Sequence, residues 1–256
     1  MKVVILAGGY GTRISEESEY RPKPMIEIGG MPILWHIMKE YSYYGFHEFV
    51  ICAGYKQKMI KEWFANYLLY NNDVTFDLRN RNQMIVHNQE CEPWIVTIAD
   101  TGLDTPTGAR VKKIQSYVGD ETFMLTYGDG VCDVNIKDLL SFHQEHGKTL
   151  TITAVKKLQE KGVLEIMNDL TVKAFREKSV VDSALINAGY MVVEPKIFEY
   201  LNDHSSLEND VLPTLVKNGE LKSYVHEGYW QCMDTIREKM ELEALLERNQ
   251  APWIKW

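Results

Sequence analysis

Residues 2–13 read Lys2-Val-Val-Ile-Leu-Ala-Gly-Gly-Tyr-Gly-Thr-Arg13, an apolar run followed by a glycine-rich turn. The run to Leu6 is short and rich in β-branched residues, which is typical of a buried strand. Gly8, Gly9 and Gly11 let the backbone turn sharply and leave its N–H groups uncovered by side chains. Neighbouring unpaired N–H groups form a concave anion site. The stretch therefore predicts a first strand that ends in a phosphate-binding turn.

Two cationic side chains accompany this turn. Arg13 ends it, and Lys23 follows in Arg21-Pro-Lys-Pro-Met25. Guanidinium can hold phosphate oxygens in two-point geometry, whereas ammonium acts as a mobile point charge. The net charge of the chain is −8, so a phosphate site must concentrate its cations locally. Arg13 and Lys23 are the first candidates.

Two familiar phosphate motifs do not fit the turn. A P-loop requires Gly, four residues and then Gly-Lys-Ser/Thr, and no such run follows Gly8 or Gly9. The dinucleotide fingerprint requires a glycine where the chain has Ile14, and an acidic residue after the second strand, which ends at Ala53. A NAD-dependent dehydrogenase is therefore disfavoured. An ordinary strand-to-helix turn without a ligand remains the alternative for the turn taken alone.

Apolar periodicity predicts strands and helices in alternation along the rest of the chain. Helices are predicted over 32–44, 59–68, 107–118, 136–146, 195–201, 207–217 and 235–248. Strands are predicted over 49–53, 123–127, 150–155, 163–167, 170–175, 188–193, 221–226 and 229–233. Short strands over 74–78, 84–87 and 94–99 suggest a small antiparallel insertion. We expect an α/β fold with a doubly wound, mostly parallel, Rossmann-like sheet and a C-terminal appendage.

Composition narrows the class of protein. Hydrophobic residues make up 45% and charged residues 25% of the 256 residues, so a full core is expected. There is no basic block, which argues against nucleic-acid binding. Four cysteines are scattered without metal-type spacing, and neither a signal peptide nor a long apolar run is present. We expect a cytoplasmic protein with reduced thiols that does not bind a membrane.

Two aspartates follow predicted strands, at the edge where open α/β sheets bind ligands. Asp129 lies in Gly128-Asp-Gly130 after the strand 123–127, and Asp234 follows the strand 229–233. Asp129 is either a Mg²⁺ ligand or part of a favourable turn, with equal weight. Asp234, taken alone, is more often the N-cap of the last helix than a metal ligand.

Several motifs together resemble the sugar-1-phosphate nucleotidylyltransferases, a family of nucleotide-sugar pyrophosphorylases. They are Leu6-Ala-Gly-Gly-Tyr-Gly-Thr-Arg13, Arg21-Pro-Lys-Pro-Met25, Pro32-Ile-Leu-Trp-His-Ile-Met38, Glu92-Pro-Trp94, Asp100-Thr-Gly102, Thr107-Gly-Ala-Arg110, Thr126-Tyr-Gly-Asp-Gly130, Phe142-His-Gln-Glu-His-Gly147 and Ala251-Pro-Trp253. They extend over nearly the whole chain and resemble most the branch of the family that uses CTP and glucose 1-phosphate.

The resemblance implies a set of nucleotide-binding residues. They are Leu6, Ala7, Gly8, Gly9, Tyr10, Gly11, Thr12, Arg13, Lys23, Thr107, Gly108, Arg110 and Gly128. Arg110 is expected to donate to O2 or N3 of cytosine, and backbone near Gly108 to accept from its exocyclic amine. Without the resemblance, Thr107 would be only the cap of a helix.

The resemblance also implies catalytic, metal and sugar-phosphate residues. Lys23, Arg13 and Asp129 are the implied catalytic residues, and Asp129 and Asp234 match the two aspartates that hold Mg²⁺. The implied sugar-phosphate residues are Gly162, Glu177, Lys178, Asn187 and Gly189. Ser179 stands where the family usually has proline, which alters the turn and keeps both functional side chains. Without the resemblance, residues 176–178 are a solvated charged turn and residues 187–189 a plain turn.

The resemblance implies Mg²⁺-dependent transfer of CMP from CTP to glucose 1-phosphate, giving CDP-glucose and pyrophosphate. It implies one domain over 1–256, with a nucleotide-binding half in 1–130 and a sugar-phosphate-binding half in 131–256. A homo-oligomer such as a hexamer is implied, as is a supply of CDP-glucose to the dideoxyhexoses of O-antigen. The alternatives are a thymidylyl- or uridylyltransferase and a catalytically silent nucleotide-sugar-binding subunit. The silent subunit is disfavoured because Lys23, Asp129 and Asp234 are all present.

Overall fold

The computed structural model describes residues 1–79, 83–88, 91–157, 163–167, 171–176 and 184–256. Its strands are β1 (Val3–Ala7), β2 (Glu27–Ile28), β3 (Met31–Pro32), β4 (Glu48–Ala53), β5 (Val74–Asp77), β6 (Gln83–Val86), β7 (Ile95–Asp100), β8 (Phe123–Tyr127), β9 (Gly130–Cys132), β10 (Leu150–Lys157), β11 (Val163–Ile166), β12 (Val172–Arg176), β13 (Ala184–Val193), β14 (Leu221–His226) and β15 (Trp230–Cys232). Its α-helices are α1 (Ser15–Ser18), α2 (Ile33–Tyr43), α3 (Gln57–Ala65), α4 (Tyr67–Asn71), α5 (Thr107–Lys113), α6 (Gln115–Val118), α7 (Ile136–His146), α8 (Leu212–Lys217) and α9 (Ile236–Glu247). Short 3-10 segments span Thr12–Ile14, Lys23–Met25 and Pro195–Tyr200, and a π-helical turn spans Leu207–Val211.

Seven strands form a central sheet in the order β14-β10-β13-β8-β1-β4-β7. Neighbours run parallel except at β13, which is antiparallel to both β10 and β8. In the middle of the sheet, Val3 of β1 lies between Phe49 of β4 and Met124 of β8. All of β1 is buried, which explains its uninterrupted apolar run, because central parallel strands are covered on both faces. The predicted α/β fold with a mostly parallel sheet is confirmed.

Two hydrophobic cores cover the two faces of this sheet. Val3 and Ile5 of β1 belong to the core that contains the apolar side of α2. Val4 and Leu6 belong to the other core, with Val111 of α5. This division follows from the alternation of side chains along a strand. The sheet is therefore wound with helices on both faces, as the alternation of elements predicted.

The first core also explains two residues of the sequence motifs. Trp253, near the C-terminal end of the chain, is fully buried in this core. Its indole lies against the ring of His36, with 6.2 Å between ring centroids. Burial lowers the pKa of His36 to about 4, which favours the neutral ring in this core. Among the described residues, no helix combines the length and the apolar character that crossing a bilayer requires.

The predicted antiparallel insertion is correct for two of its three strands. β5 and β6 form an antiparallel hairpin outside the main sheet. β7 instead pairs in parallel with β4 at the edge of the main sheet. The reason is that Val96 and Ile98 pack against the first core, which a free hairpin would leave exposed.

Three predicted helices are broken in the structure. The helix expected over 59–68 divides at Asn66, whose side-chain amide donates to the Glu62 carbonyl. The helix expected over 107–118 divides at Ile114. The helix expected over 207–217 begins as a π-helical turn, and α8 continues it with Pro213 in its first turn. Proline lacks an N–H group and cannot continue a regular ladder, so the break lies where it enters.

Candidate active site

Several loops meet at the carboxyl edge of the sheet. The glycine turn follows β1, residues 101–103 follow β7, and Gly128-Asp-Gly130 follows β8. Gly54 follows β4 in the same region. Ligands of open α/β sheets bind beyond this edge, so the structure brings the predicted site elements to the expected place.

The three glycines of the first turn have different roles. Gly11 has φ +69°, a left-handed conformation that favours glycine. Gly8 is required by close packing instead, because a Cβ built there would lie 2.1 Å from Nη1 of Arg110. Gly9 has open space around it. Of the three, only Gly11 is held in the left-handed region.

Arg110 joins the loops that surround the turn. Its side chain is almost completely buried, and its guanidinium forms four short hydrogen bonds. Nη1 donates to the Thr101 hydroxyl and to the Gly102 carbonyl, both at 2.7 Å. Nη2 donates to the carbonyls of Gly8 at 3.0 Å and Leu103 at 2.9 Å. The four terminal N–H groups are thus occupied, whereas the family resemblance implied donation to a nucleobase.

Lys23 lies between the two predicted metal aspartates. Its Nζ donates to Oδ2 of Asp129 at 2.7 Å and to Oδ1 of Asp234 at 2.5 Å. Burial lowers the pKa of Lys23, but the carboxylates of Asp129 and Asp234 outweigh it and raise the pKa above its usual value. Arg13, largely exposed, pairs with the other oxygen of Asp234. The structure therefore brings Arg13, Lys23, Asp129 and Asp234 into one cluster.

A two-stranded ribbon brings Asp234 to Asp129. Gly130 of β9 pairs with Cys232 of β15 in antiparallel register. The Met233 N–H donates to the Asp129 carbonyl at 2.8 Å. Each aspartate therefore lies beside an end of the same ribbon. The alternative role of Asp234, as the N-cap of α9, is wrong, because Thr235 caps this helix in a capping box with Glu238.

A cavity of about 430 Å³ opens beside this cluster. Its lining contains most of the predicted nucleotide and metal residues, namely Leu6, Ala7, Gly8, Gly9, Gly11, Thr12, Arg13, Lys23, Thr107, Arg110, Gly128, Asp129 and Asp234. Tyr10 lies outside the lining and donates to Asp104 at 2.6 Å. Gly108 also lies outside, where a Cβ would come 2.8 Å from the Ser205 carbonyl.

Sequence reasoning missed five further cavity residues, namely Pro24, Thr105, Pro106, Tyr127 and Glu208. Tyr127 donates its hydroxyl to Oε1 of Glu208 at 2.6 Å. Burial raises the pKa of Glu208, but hydrogen bonds from Thr107 and Tyr127 outweigh it and keep that pKa below its usual value. Tyr127 ends β8, so the strand-end rule that selected Asp129 would also have found it. Glu208 comes from a distant segment and carries no local signal.

Thr107 takes part in the same network. Its hydroxyl donates to Oε2 of Glu208 at 2.6 Å and accepts from the Leu207 N–H at 2.9 Å. The side chain does not cap α5, whose N-cap is Pro106 and has no side-chain hydrogen bond. Thr107 therefore joins the start of α5 to the π-helical turn, which is a tertiary role that the helix-cap interpretation did not include.

Comparisons with known proteins place this chain in a family. A family model described as nucleotidyl transferase matches residues 2–247. A glucose-1-phosphate cytidylyltransferase from Salmonella typhi is 50% identical over 258 residues, covering 100% of both chains. This chain belongs to the nucleotidyl transferase family. The family expected from the motifs is thus confirmed, and the chain is an enzyme.

Two other comparisons agree with this assignment. A probable glucose-1-phosphate cytidylyltransferase from Bacillus subtilis is 42% identical over the full length of both chains. The crystal structure of HddC from Yersinia pseudotuberculosis is 25% identical, covers 96% of this chain and 99% of that chain, and has a TM-score of 0.68. The nucleotidyl transferase fold is therefore shared over nearly the whole chain.

Of the predicted sugar-phosphate residues of this nucleotidyl transferase, the structure describes Asn187 and Gly189. Gly162, Glu177 and Lys178, together with Ser179, lie outside the described residues. Asn187 accepts from the Gly189 N–H at 2.7 Å. Gly189 has φ +84°, and a Cβ built there would lie 2.5 Å from the Tyr127 ring. Asn187 and Gly189 are therefore next to the cavity through Tyr127 rather than in its lining.

Enzymes of this family generally use a divalent metal ion. Asp129 and Asp234 fit such an ion, because carboxylate oxygens are the hard ligands it requires. Both carboxylates reach the same Lys23 nitrogen, so they are close enough together to share one cation. The two carboxylates are therefore a suitable ligand set for a divalent ion, and in this structure Lys23 is their counter-ion.

A second cluster of possible ligands lies at the other end of β9 from Asp129. Cys132, Asp133 and His226 have ligand atoms within 4.8 Å of one another. Oδ1 of Asp133 already forms two hydrogen bonds, with Nε2 of His226 and with the Tyr229 N–H, at 2.7 Å each. These contacts join β14 to the β9–β15 ribbon, and we assign them that structural role.

Proposed function

We propose that this nucleotidyl transferase transfers CMP from CTP to α-D-glucose 1-phosphate and releases pyrophosphate, with Mg²⁺ as its metal ion. The observation that carries the proposal is 50% identity, over the full length of both chains, to a glucose-1-phosphate cytidylyltransferase. The cluster of Lys23, Asp129 and Asp234 beside the glycine turn supports it. Phosphoryl transfer is catalysed largely by positioning and by cationic groups and metal ions that stabilise charge on the phosphates.

The reaction is a displacement at the α-phosphorus of CTP. An oxygen of the sugar phosphate forms a bond to this phosphorus, and the bond to the β-phosphate bridging oxygen breaks. The electron pair leaves with pyrophosphate, and the other product is CDP-glucose. The attacking oxygen is ionised at neutral pH, so no general base is needed. The main obstacle is the repulsion between two polyanions, which positioning and charge stabilisation overcome.

Each polar residue of the cluster has a proposed part in this step. Asp129 and Asp234 would hold the metal ion, which neutralises charge on the phosphate oxygens when bound. Lys23 would stabilise charge at the α-phosphate, and Arg13, whose side chain is exposed at the cavity, would hold the departing pyrophosphate. Backbone N–H groups of the glycine turn would bind the triphosphate.

Base selection would depend on the loops that Arg110 holds. Its terminal N–H groups already donate to Thr101, Gly102, Gly8 and Leu103, so direct donation to cytosine would cost existing bonds. We therefore assign Arg110 a positioning role. The edge of cytosine would be read by backbone groups of the glycine turn and of the segment leading to α5.

The two halves of the chain would divide the substrates. Residues 1–130 would bind the nucleotide, and residues 131–256 would bind glucose 1-phosphate through Asn187, Gly189, Gly162, Glu177 and Lys178. The two halves meet at the cavity, where Tyr127 of the first half donates to Glu208 of the second half.

We also infer that the enzyme is a homo-oligomer such as a hexamer. The β5–β6 hairpin supports this, because it carries exposed apolar side chains on both faces. Phe76 and Met84 pair on one face and are 55% and 49% exposed, and Ile85 on the other face is 55% exposed. A hairpin with apolar residues on both faces fits burial against a second copy of the chain. The mass measured by light scattering should be a whole-number multiple, two or more, of the 29.6 kDa of one chain. A monomeric mass would contradict the inference.

A panel of nucleotides tests the function. The purified enzyme is mixed with Mg²⁺ and glucose 1-phosphate, and pyrophosphate release is measured with CTP, TTP, UTP, ATP or GTP. We expect release with CTP alone. Release with TTP or UTP instead would make the enzyme a thymidylyl- or uridylyltransferase. No release with any triphosphate and any common hexose 1-phosphate would indicate a silent binding subunit.

A further inference from the structure

The ammonium of Lys23 occupies the space between the two carboxylates. Its Nζ lies 2.7 Å from Oδ2 of Asp129 and 2.5 Å from Oδ1 of Asp234, and only 7% of the residue is exposed. A divalent ion shared by these two oxygens would need the same space. The ammonium and the ion are therefore alternatives in one place.

The cluster is also neutral in this arrangement. Asp129 and Asp234 contribute two negative charges, and Lys23 and Arg13 contribute two positive charges. A metal ion that arrives alone meets no net negative charge, and it must also break the contacts of a buried ammonium with two partly buried carboxylates. Removal of one partner from such a pair is costly, because the other charge is left uncompensated.

Nζ of Lys23 must move away from the two carboxylates before a metal ion can enter between them. A buried ammonium that leaves this position needs another anion as its partner. The glycine turn and the cavity lie beside Lys23, so the phosphates of a bound nucleotide would supply that anion.

We propose that Lys23 and the divalent ion exclude each other between Asp129 and Asp234, so that a nucleoside triphosphate opens the metal site by drawing Lys23 onto its phosphates. This inference rests on the proposed function, because it takes a triphosphate as the anion. Metal binding and nucleotide binding are then coupled. By linkage, the nucleotide raises the affinity for the metal by the same factor as the metal raises the affinity for the nucleotide.

Metal binding without nucleotide gives the first test. Mn²⁺ is titrated into the metal-free enzyme, and free Mn²⁺ is followed by electron paramagnetic resonance. We expect Lys23→Met to bind Mn²⁺ at least tenfold more tightly than the wild type, since the cluster then has a net negative charge and no ammonium lies between the two carboxylates. Lys23→Arg, which retains the charge, and Lys217→Met, which changes an exposed lysine of α8, should both bind as weakly as the wild type. Equal affinity in Lys23→Met and the wild type would overturn the exclusion.

A second test uses the wild-type enzyme and does not depend on the folding of Lys23→Met. The ¹⁵Nζ resonance of Lys23 is assigned from its loss in Lys23→Arg. Millimolar Mg²⁺ alone should leave this resonance in place, and CTP in the presence of EDTA should shift it. A shift with Mg²⁺ alone, or no shift with CTP, would overturn the proposal.

The two proposals fail in different ways. Tighter Mn²⁺ binding by Lys23→Met, with no pyrophosphate release from any triphosphate, would support the exclusion and reject the proposed function. Pyrophosphate release from CTP, with equal Mn²⁺ affinity in Lys23→Met and the wild type, would support the function and reject the exclusion.

Discussion

The guanidinium of Arg110 lies directly over the backbone of Gly8. Nη2 donates to the Gly8 carbonyl at 3.0 Å, and a Cβ at Gly8 would come 2.1 Å from Nη1. A Cβ at Gly54 would lie 2.6 Å from the same nitrogen. The guanidinium is buried and held by several carbonyls, so it cannot move aside without loss of hydrogen bonds. Glycine at these two positions thus lets Arg110 hydrogen-bond to both the glycine turn and residues 101–103 while it packs against Gly54.

Gly8→Ala should therefore destabilise the enzyme more than Gly9→Ala does. The added methyl group at Gly8 displaces Arg110, whereas a Cβ at Gly9 meets nothing within 4 Å. We expect Gly8→Ala to lower the free energy of unfolding by about 1–3 kcal/mol, as overpacking of a buried site does. Urea unfolding of both variants measures the difference. Similar stability in the two variants would mean that the turn relaxes without disturbing Arg110.

Gly189→Ala should disturb the sugar side of the cavity. Gly189 has φ +84°, and its added Cβ would lie 2.5 Å from the ring of Tyr127. Gly219→Ala is the matched control, because Gly219 has φ +66° but no neighbour within 4 Å. Both variants suffer the left-handed strain, of about 1 kcal/mol. We expect Gly189→Ala to lose roughly 1–3 kcal/mol more in thermal or urea unfolding. It should also raise the KM for glucose 1-phosphate, and an unchanged KM would separate Tyr127 from the sugar site.

Lys23→Ala should abolish most of the turnover with the fold retained. The variant removes the charge that would stabilise the α-phosphate in the transition state. Loss of a single stabilising group of this kind costs about 10²–10³ in kcat. Pyrophosphate release is measured beside circular dichroism and thermal unfolding, with Lys217→Ala as the control for loss of an exposed lysine. Near-normal turnover would contradict the catalytic role assigned to Lys23.

Glu40→Gln should stabilise the enzyme increasingly as the pH rises. Glu40 is fully buried on α2, and burial raises the pKa of its carboxyl well above the usual value. The Tyr190 hydroxyl lies 2.7 Å from Oε2 of Glu40 and 3.1 Å from the Gly130 carbonyl, which can only accept. A neutral Glu40 that donates to Tyr190 satisfies both contacts.

The sign of this pH effect follows from linkage. Because the folded-state pKa is raised, the wild type loses stability as the pH rises from the unfolded-state pKa towards the folded-state pKa. Glutamine does not titrate, so the advantage of Glu40→Gln grows by about 1.4 kcal/mol per pH unit over that interval. Urea unfolding at pH 5 and pH 8 measures it, with the exposed Glu241→Gln as the control. An advantage that is the same at both pH values would show that Glu40 is ionised in the folded protein.

Much of the fold could be predicted because the spacing of apolar residues along a short segment indicates which side of that segment is buried. The strand over 123–127 and the helix over 136–146 have the predicted bounds, and the buried run after Lys2 is an interior strand of the main sheet. β7 was assigned to the wrong sheet, because a short apolar strand carries no information about its partner. Asn66 and Pro213 broke predicted helices through their own hydrogen-bonding chemistry, which the apolar pattern does not contain.

Residue chemistry at strand ends predicted part of the site. Lys23 and Asp129 could be selected because a cation and a carboxylate lay beside a glycine turn and after a buried strand. Glu208 could not be found, since its partners Tyr127 and Thr107 are far from it in sequence. The expected role of Arg110 could not be tested from the sequence either, because the direction of its guanidinium depends on which loops surround it.

The sequence by itself determined the class of the fold, the family and the residue types of the site, since these depend on local patterns and motifs. Only the tertiary structure decided how the side chains meet. The ribbon of β9 and β15 brings Asp234 to Asp129, and Lys23 forms an ion pair with both carboxylates. Such contacts depend on strand order and register, which bring together residues whose separation along the chain exceeds any local pattern.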